Sequence, residues 1–378
     1  MNPHSKHPLA DPIRAFMDRA GGLPSWEASE PSLDEAFNTL ALGLYAWQWH
    51  HNDAMAALHG PFPDPQHWSE IPPLPCAAFQ ELEMSCLPPE QRLRAFVSSG
   101  TTGHHRSRHW HDAESLRLYE HSLWTGFRHR AGRLLEDAGL IMLTPPPDSV
   151  PESSLIHMLG ILGHRSGCNT WFAGELDAAT SQWMVSMDRL IPGLLQRQSE
   201  GRRIALLGTA FHFVHLTDHL ESIGATIPLP PGSWIMETGG YKGRSRNVPR
   251  PELLRRLARH LGIQPDRVIG EYGMCELGSQ AYDIGTTVVM EGDAPCPVYR
   301  FPPWARARVI STENEKPVAN GETGLLQVVD LANAWSALSI RTGDLVRRQG
   351  QGFEILGRAP ASVQRGCSLN LEEIPTQA

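Results

Sequence analysis

Short apolar runs alternate with amphipathic segments along the middle of the chain. Continuous apolar runs at 140–143, 204–207 and 234–236 are typical of strands buried on both faces of a sheet. Beside them lie segments whose apolar residues recur every three or four positions, at 116–134 and 211–220. Strands that alternate with helices predict an α/β fold with a largely parallel sheet.

Polar and glycine residues indicate where some of these elements begin and end. Asp112 is a predicted N-cap of the helix that follows it, and we expect that helix to end at Gly139. Near the N terminus the pattern predicts one helix over residues 33–58 and then an extended, proline-rich passage at 71–75. Beyond about residue 288 the helical periodicity disappears, and strand-like runs indicate a β-rich subdomain.

Composition excludes several classes of function. The 378 residues carry 33 basic and 41 acidic side chains, a formal charge of −8, and the basic residues are scattered, so we expect no nucleic-acid partner. No run approaches the roughly 18 apolar residues of a membrane span, and the N terminus lacks the apolar region of a signal peptide. We therefore expect a cytoplasmic protein. The six cysteines form no C-x-x-C pair, which argues against a disulfide framework or a zinc ribbon.

A loop of small residues follows the apolar pair at 96–97. It consists of Ser98, Ser99, Gly100, Thr101, Thr102 and Gly103. Backbone N–H groups and hydroxyls of such a loop can surround phosphate oxygens, because glycine has no side chain and permits unusual dihedral angles. The sequence has no G-x-x-x-x-G-K-[ST] motif, so the loop is not of the Walker type. Taken alone, it is either an anion site or a flexible surface loop.

Two further segments carry potential nucleotide ligands. In the first, Tyr272 and Gly273 precede Cys275 and Glu276, so an aromatic ring could stack on a base while a carboxylate binds Mg²⁺ beside phosphates. In the second, Asp344 follows a glycine turn, where its carboxylate could accept hydrogen bonds from both ribose hydroxyls. Each segment alone is equally well explained as an ordinary turn.

The three segments in this order, closed by Gly357 and Arg358, resemble the motif series of the adenylate-forming superfamily. That superfamily comprises acyl-CoA synthetases, peptide-synthetase adenylation domains and luciferases. Within it the sequence is most similar to the acyl-protein synthetases of bacterial bioluminescence, the long-chain-fatty-acid–luciferin-component ligases. Further similar passages lie at 75–79, 151–155, 237–243 and 365–369. The resemblance spans about residues 71–369.

The resemblance implies an architecture. It implies an α/β adenylation domain with a layered αβαβα core and a β-rich subdomain. Residues 1–90 would be lead-in helices of the same domain, 91–356 the adenylation core, and 357–378 a hinge with a short tail. Most superfamily members continue into a small mobile domain that bears a catalytic lysine. Because the sequence ends soon after Arg358, we expect most or all of that domain to be lacking, so either a partner supplies the lysine or adenylation proceeds without it.

The resemblance also implies a reaction and its cofactors. A carboxylate oxygen would attack the α-phosphorus of ATP, giving acyl-AMP and pyrophosphate, and catalysis would consist mainly of positioning and charge neutralisation. The implied binding groups are the 98–103 loop for the β- and γ-phosphates, Gly239, Gly240 and Tyr272 for adenine, Glu276 for Mg²⁺, Asp344 for ribose, and Arg358 near the ribose or phosphates.

Two departures from the family pattern affect the phosphate site. The loop is usually followed by a Pro-Lys pair, whereas here His104 and His105 follow, so Arg106 or Arg108 would have to supply the positive charge. Position 275 is usually a threonine whose hydroxyl touches phosphate. Cys275 offers only a weak S–H donor, which puts its role in doubt.

The acyl acceptor is implied to be a thiol. In the acyl-protein synthetases the cysteine that matches Cys367 accepts the acyl group from acyl-AMP, and the neighbouring Arg365 could lower its pKa. The alternative is that Cys367 is a small buried apolar residue. His157, Phe211 and Phe213 lie where the family's acyl pocket begins, although a helical core face explains them equally well. The histidines at 104, 105, 109 and 111 fit no standard zinc spacing.

Three hypotheses follow. The first is an ATP- and Mg²⁺-dependent ligase that passes an activated carboxylic acid to a thiol, its own Cys367 or that of a partner reductase or transferase. The second keeps the adenylation of an aromatic or polyketide acid but transfers the product to CoA, a carrier protein or an amine. The third is a nucleotide-binding scaffold subunit with little turnover. The sequence does not identify the acid.

Overall fold

The structure is a computed structural model that describes residues 6–26, 30–98, 106–176, 183–239, 248–288 and 296–360. Its helices are α1 (Ala10–Gly21), α2 (Pro31–His51), α3 (Asp53–His59), α4 (Ala78–Glu81), α5 (Ala113–Ala131), α6 (Ser154–Ser166), α7 (Met187–Ser199), α8 (Ala210–Ser222) and α9 (Arg250–Leu261). The strands of the first half are β1 (Leu74–Pro75), β2 (Arg94–Val97), β3 (Arg108–His111), β4 (Gly139–Met142), β5 (Thr170–Phe172), β6 (Gly174–Leu176), β7 (Trp183–Val185) and β8 (Ile204–Thr209). Those of the second half are β9 (Trp234–Thr238), β10 (Val268–Tyr272), β11 (Ala281–Val288), β12 (Cys296–Arg300), β13 (Ala305–Ile310), β14 (Thr323–Asp330), β15 (Ser339–Gln349) and β16 (Gly352–Arg358).

One large sheet runs through the molecule in the order β13-β14-β15-β16-β12-β11-β10-β9-β8-β4-β5, and β1 pairs with β15. The half from β10 to β5 is parallel, and the half from β10 to β13 is antiparallel. The α/β class with a largely parallel sheet in the middle of the chain is confirmed. The β-rich part is not separate, because its strands hydrogen-bond into the same sheet through β11 and β12.

The parallel half is covered by helices on both faces. Successive side chains of a strand point to opposite faces of a sheet, and β4 shows this alternation. Leu140 packs with side chains of α5 and α6, whereas Ile141 packs with side chains of α7, α8 and α9. This two-sided burial explains why these strands are continuous apolar runs in the sequence.

The N-terminal helices pack on the β-rich half. Buried side chains of α1, α2 and α3 share one apolar cluster with β14 and β15. The passage at 71–75 is extended as expected, and β1 lies parallel to β15 with Leu74 opposite Ile340. This pairing brings Cys76 next to the part of β15 that carries Asp344, because the Cys76 N–H donates to the carbonyl of Arg341 at 3.0 Å. Asp344 therefore lies within a strand and not after the glycine turn that the sequence predicts.

Two expected helices have different limits. The helix expected over 33–58 is divided at Asn52, which is extended (φ −128°) and accepts a hydrogen bond from the Met55 N–H as the cap of α3. Helix α5 begins after its Asp112 cap as expected. It ends at Gly132 rather than Gly139, because a short 3₁₀ turn follows and Gly139 is the first residue of β4. In the part of the chain that the structure describes, no helix has the length and apolar content needed to cross a bilayer.

Candidate active site

The small-residue loop closes a β-hairpin. Strands β2 and β3 are antiparallel, and the last pair before the loop is Val97 with Arg108. At the neck, the Ser98 N–H donates to the Ser107 carbonyl and the Ser107 N–H donates to the Ser98 Oγ, both at 3.0 Å. Residues 99–105, including Ser99, Gly100, Thr101, Thr102 and Gly103, lie outside the described residues. The hairpin thus holds together the two ends of the loop that is expected to bind phosphate.

The two candidate arginines beside this loop have different surroundings. Arg106 is exposed at the neck, and its Nε–H donates to the Ser98 carbonyl at 2.6 Å. Arg108 is also exposed, but its Nη2 forms an ion pair with Glu83 at 3.0 Å. Glu83 further accepts from the indole N–H of Trp110 at 2.6 Å. Arg106 is therefore the arginine whose position favours contact with an anion in the loop.

Tyr272 at the end of β10, Arg358 at the end of β16 and Asp344 within β15 meet at one point. The Tyr272 hydroxyl donates to Oδ2 of Asp344 at 2.7 Å, and the Arg358 Nε lies 3.1 Å from Oδ1. Asp344 is 8% exposed, whereas the Arg358 side chain is 66% exposed. One carboxylate thus joins a buried phenol to a solvent-facing guanidinium, and either oxygen could exchange its partner for a ligand hydroxyl.

The backbone around this trio explains its geometry. Asp344 and Arg358 are directly opposite each other in the antiparallel β15–β16 pair. Gly357 precedes Arg358 with a φ of +133°, which only glycine adopts without strain, and the strand register shifts beside it. Tyr272 ends β10, and its ring packs edge-on against Phe353 of β16 at a centroid distance of 5.5 Å. The packing of Tyr272 on β16, the strand that pairs with β15, therefore places its hydroxyl beside Asp344, which lies 72 positions further along the chain.

Glu276 lies in the turn after β10. It is 5% exposed, and burial raises the pKa of its carboxyl, while the nearby Ser107 side chain and Arg358 oppose this rise. The backbone carbonyl of Glu276 accepts a hydrogen bond from Nδ2 of Asn333 at 2.8 Å. A desolvated carboxylate beside a phosphate loop fits a Mg²⁺ ion, which commonly binds one or two carboxylates together with substrate phosphates.

The glycines and Cys275 line the same turns. A Cβ at Gly273 would lie 2.7 Å from Oε1 of Glu271, so a larger residue there would displace that side chain. Gly239 is exposed at the end of β9, and Gly240 lies outside the described residues. Cys275 is buried, and its carbonyl accepts a hydrogen bond from Nδ1 of His109 at 3.0 Å. Tyr272 is only 9% exposed, so adenine stacking on its ring stays a prediction.

Comparison with known proteins assigns the family. Residues 66–376 match the family described as acyl-protein synthetase, LuxE. The chain belongs to the acyl-protein synthetase family. The long-chain-fatty-acid–luciferin-component ligase of Vibrio harveyi is 21% identical over 368 residues, covering 93% of this chain and 91% of that protein. The ligase of the same name from Aliivibrio fischeri is 34% identical over 82 residues, 19% of this chain and 22% of its own.

Solved structures of adenylate-forming enzymes share the fold of this acyl-protein synthetase. A 2-hydroxyisobutyryl-CoA ligase in the postadenylation state, in complex with 2-HIB-AMP, superposes with a TM-score of 0.60 at 14% identity, covering 90% of this chain and 72% of its own. An open conformation of that ligase gives a TM-score of 0.59, with coverages of 86% and 74%. The expected superfamily, fold class and ligase class are confirmed.

Cys76, which the sequence favoured as an ordinary core or surface residue, lies beside Glu276, Asp344 and Arg358 in the structure. Burial raises the pKa of its thiol to about 11, with nearby Glu276 adding to the rise and Arg358 opposing it. The sequence signal was the position of Cys76 in the passage at 75–79, which belongs to the family pattern. That signal could not show that β1 would pair with β15 beside Asp344.

The three expected acyl-pocket residues do not lie together. His157 is buried against Phe96, at a centroid distance of 5.2 Å, and its two ring nitrogens form hydrogen bonds with Arg94 and Glu120. Phe213 is fully buried in the apolar cluster on the opposite face of the parallel sheet, with α9. Phe211 is half-buried beside His215. The structure thus favours the core-face alternative for Phe213, whose side chain cannot share a pocket with His157 across the sheet.

The remaining predicted residues include possible metal ligands and the acyl acceptor. His109 and His111 are buried on one face of β3, with ring centroids 4.4 Å apart. Within the described ranges, no group of three or more His, Cys, Asp or Glu side chains could hold a metal ion. His104, His105 and Cys367 lie outside those ranges, so the acceptor role of Cys367 stays a prediction.

Proposed function

We propose that the chain uses ATP to activate a carboxylic acid as its acyl-adenylate and then transfers the acyl group to a thiol. The observation that carries the proposal is the convergence of the hairpin neck at Ser98, the carboxylate of Glu276, and the Tyr272–Asp344–Arg358 contact. These groups come from separate strands, and each suits a different part of a nucleotide. Membership in the acyl-protein synthetase family supports the same chemistry.

In the first step, an oxygen of the acid carboxylate attacks the α-phosphorus, and the bond from that phosphorus to the bridging oxygen of the β-phosphate breaks. Pyrophosphate leaves with the bonding electron pair, and no protein nucleophile is required. Because both reactants are anions, the protein has to position them and neutralise charge. Arg106 and the loop amides would bind the leaving phosphates, and Asp344 would fix the ribose. A Mg²⁺ ion held by Glu276 would neutralise phosphate charge.

In the second step, a thiolate attacks the acyl carbon, and the bond from that carbon to the AMP oxygen breaks. AMP leaves as an anion, and a thioester remains. We propose Cys367 as the first acceptor, since the family match includes this position. Cys76 is a poor acceptor despite its place in the site, because a thiol with a pKa of about 11 is almost entirely protonated at neutral pH.

Acid-dependent exchange of labelled pyrophosphate into ATP tests the first step. A panel of long-chain, short-chain and aromatic acids should contain at least one that supports exchange, and Asp344→Ala should abolish it. Arg117→Ala is a matched surface control on α5, outside the proposed site, and should exchange like the wild type. ATP binding without acid-dependent exchange for any acid would instead support the scaffold hypothesis.

Covalent labelling tests the second step. With the active acid in radioactive form, the wild type and Cys76→Ser should retain label after denaturation, and hydroxylamine should release it as expected of a thioester. Cys367→Ser should exchange pyrophosphate normally but retain no label. Label that persists in Cys367→Ser would overturn the assignment. Exchange without any protein label, together with product formed on added CoA, a carrier protein or an amine, would support transfer to that acceptor.

A further inference from the structure

A residue on the buried face of β3 makes a hydrogen bond that has no role so far in the proposed reaction. Side chains alternate along this strand, so Arg108 and Trp110 face Glu83, while His109 and His111 face the interior. His109 is 3% exposed, and its Nδ1 lies 3.0 Å from the carbonyl oxygen of Cys275. This contact joins the phosphate hairpin to the turn after β10.

The acceptor in this contact determines the protonation state of the His109 ring. A carbonyl oxygen only accepts hydrogen bonds, so the proton must be on Nδ1 of His109. Burial lowers the pKa of His109 to about 4, so the ring is neutral in the physiological range and does not exchange protons with a substrate there. His109 therefore acts as a permanent donor of one hydrogen bond.

The acceptor is the peptide that directly precedes Glu276. Other anchors of this turn come from the β-rich half: Asn333 donates to the Glu276 carbonyl, and the Gly278 N–H donates to Asp330 at 2.9 Å. The His109 bond comes from the opposite side, from the strand that leads out of the phosphate loop. It thus helps to set the distance between the hairpin neck at Ser98 and Ser107 and the Glu276 carboxylate.

We infer that His109 is a positioning residue that aligns Glu276 with the hairpin neck at Ser98 and Ser107 through the Cys275 peptide. This inference rests on the proposed function, because the alignment matters only if the carboxylate and the loop act on the same triphosphate. A displacement of about 1 Å in such an arrangement can lower a rate about 100-fold. The residue acts through Glu276 and touches neither reactant.

Isosteric variants separate this role from simple packing. In Asn the side-chain N–H stands at the same number of bonds from Cβ as Nδ1 of His, whereas in Gln it stands one bond further. His109→Asn can therefore keep the bond to Cys275, and His109→Gln and His109→Leu lose it. His111→Leu is the matched control, since His111 is equally buried on the same face and neither ring nitrogen has a hydrogen-bond partner within the described residues.

The experiment measures ATP binding by calorimetry with Mg²⁺ and with EDTA, and pyrophosphate exchange with the active acid. We expect the gain in ATP affinity due to Mg²⁺ to fall about tenfold in His109→Leu and His109→Gln, and exchange kcat to fall about 10- to 100-fold with the KM for the acid unchanged. His109→Asn should restore both quantities to within about threefold, and His111→Leu should match the wild type.

The outcomes distinguish the inference from the proposed function. If the wild type exchanges pyrophosphate but His109→Leu shows the same Mg²⁺ gain and kcat, the positioning role is wrong and the proposed function stands. The positioning role is equally wrong if His109→Asn is as defective as His109→Leu while both unfold at the wild-type urea concentration. If the wild type itself shows no exchange with any acid, the proposed function fails first, and the calorimetric Mg²⁺ gain still tests the contact.

Discussion

Replacing Tyr272 by Phe removes one hydroxyl and leaves the ring in place. That hydroxyl donates to Asp344 at 2.7 Å in a site where the tyrosine is 9% exposed and the aspartate 8% exposed. The ring keeps its edge contacts with Phe353 and Phe301, so the change isolates the hydrogen bond from the packing. The carboxylate would retain Arg358, whose side chain is largely exposed and therefore shielded by solvent.

The magnitude follows from the type of bond. A buried hydrogen bond to a charged group contributes about 1.5–3 kcal/mol, so Tyr272→Phe should lower the free energy of unfolding by about 2 kcal/mol. If Asp344 binds the ribose, its loss of orientation should also raise the KM for ATP about tenfold, equivalent to about 1.4 kcal/mol. Urea unfolding and pyrophosphate exchange at varied ATP measure the two effects.

Tyr282→Phe is the matched control for this variant. Tyr282 is 3% exposed on the neighbouring strand β11, and its hydroxyl has no hydrogen-bond partner among the residues that the structure describes. Removal of an unpaired buried hydroxyl should leave the stability unchanged or raise it by up to about 1 kcal/mol. Equal losses in Tyr272→Phe and Tyr282→Phe would refute the account, because of the two hydroxyls it is that of Tyr272 which donates to a buried carboxylate.

Three further predictions concern charge and backbone. Arg106→Ala should raise the KM for ATP about tenfold, whereas Arg108→Ala should raise it less than twofold, because Arg108 is paired with Glu83. Equal effects of the two variants in the exchange assay would contradict this prediction. Burial raises the pKa of Glu271 from 4.5 to about 7, with a hydrogen bond from Thr238 opposing the rise and Glu237 adding to it, so wild-type stability should fall as pH rises from 4.5 to about 7 and level off above that. The free energy of unfolding of Glu271→Gln, measured with urea, should therefore exceed that of the wild type by about 3 kcal/mol at pH 8.5 and by almost nothing at pH 4.5. A difference that does not change with pH would contradict this reasoning. Gly357→Ala should lower the free energy of unfolding by about 2 kcal/mol, since φ at this position is +133°. Gly350→Ala, at a φ of +60°, should lower it by only about 1 kcal/mol. The reverse order in urea unfolding would contradict this reasoning.

The sequence predicted the parallel half of the fold better than the rest. The runs at 140–143 and 204–207 lie on strands buried on both faces. Such a strand is a continuous apolar run whatever its position in the sheet, so local sequence is enough to predict it. The division at Asn52 was missed because Asn52 lies inside a helical pattern and its cap depends on an extended backbone. The end of α5 was misplaced because Gly132 and Gly139 are equally good local stop signals, and only the pairing of β4 with β8 shows which begins the strand.

For the candidate site, the order of the motifs was informative, but the sequence did not reveal which of their residues make long-range contacts. Tyr272 and Asp344 were predicted separately, but their hydrogen bond depends on the packing of the Tyr272 ring against β16, which local patterns do not contain. His109 was weighed as a metal ligand and disfavoured, and its positioning contact was missed because its partner is a backbone carbonyl that leaves no signal in the sequence. For Phe213 the sequence left pocket lining and a helical core face open, and the sheet that separates it from His157 favours the core face.

Attack of the acid carboxylate on the α-phosphorus is the central claim, and isotope transfer measures it directly. The active acid is labelled with ¹⁸O in both carboxylate oxygens and incubated with the protein, ATP, Mg²⁺ and the acyl-accepting thiol. After turnover, mass spectrometry should find one ¹⁸O atom in AMP and none in pyrophosphate. Appearance of ¹⁸O in inorganic phosphate, with ADP as the nucleotide product, would show attack on the γ-phosphorus and contradict the account.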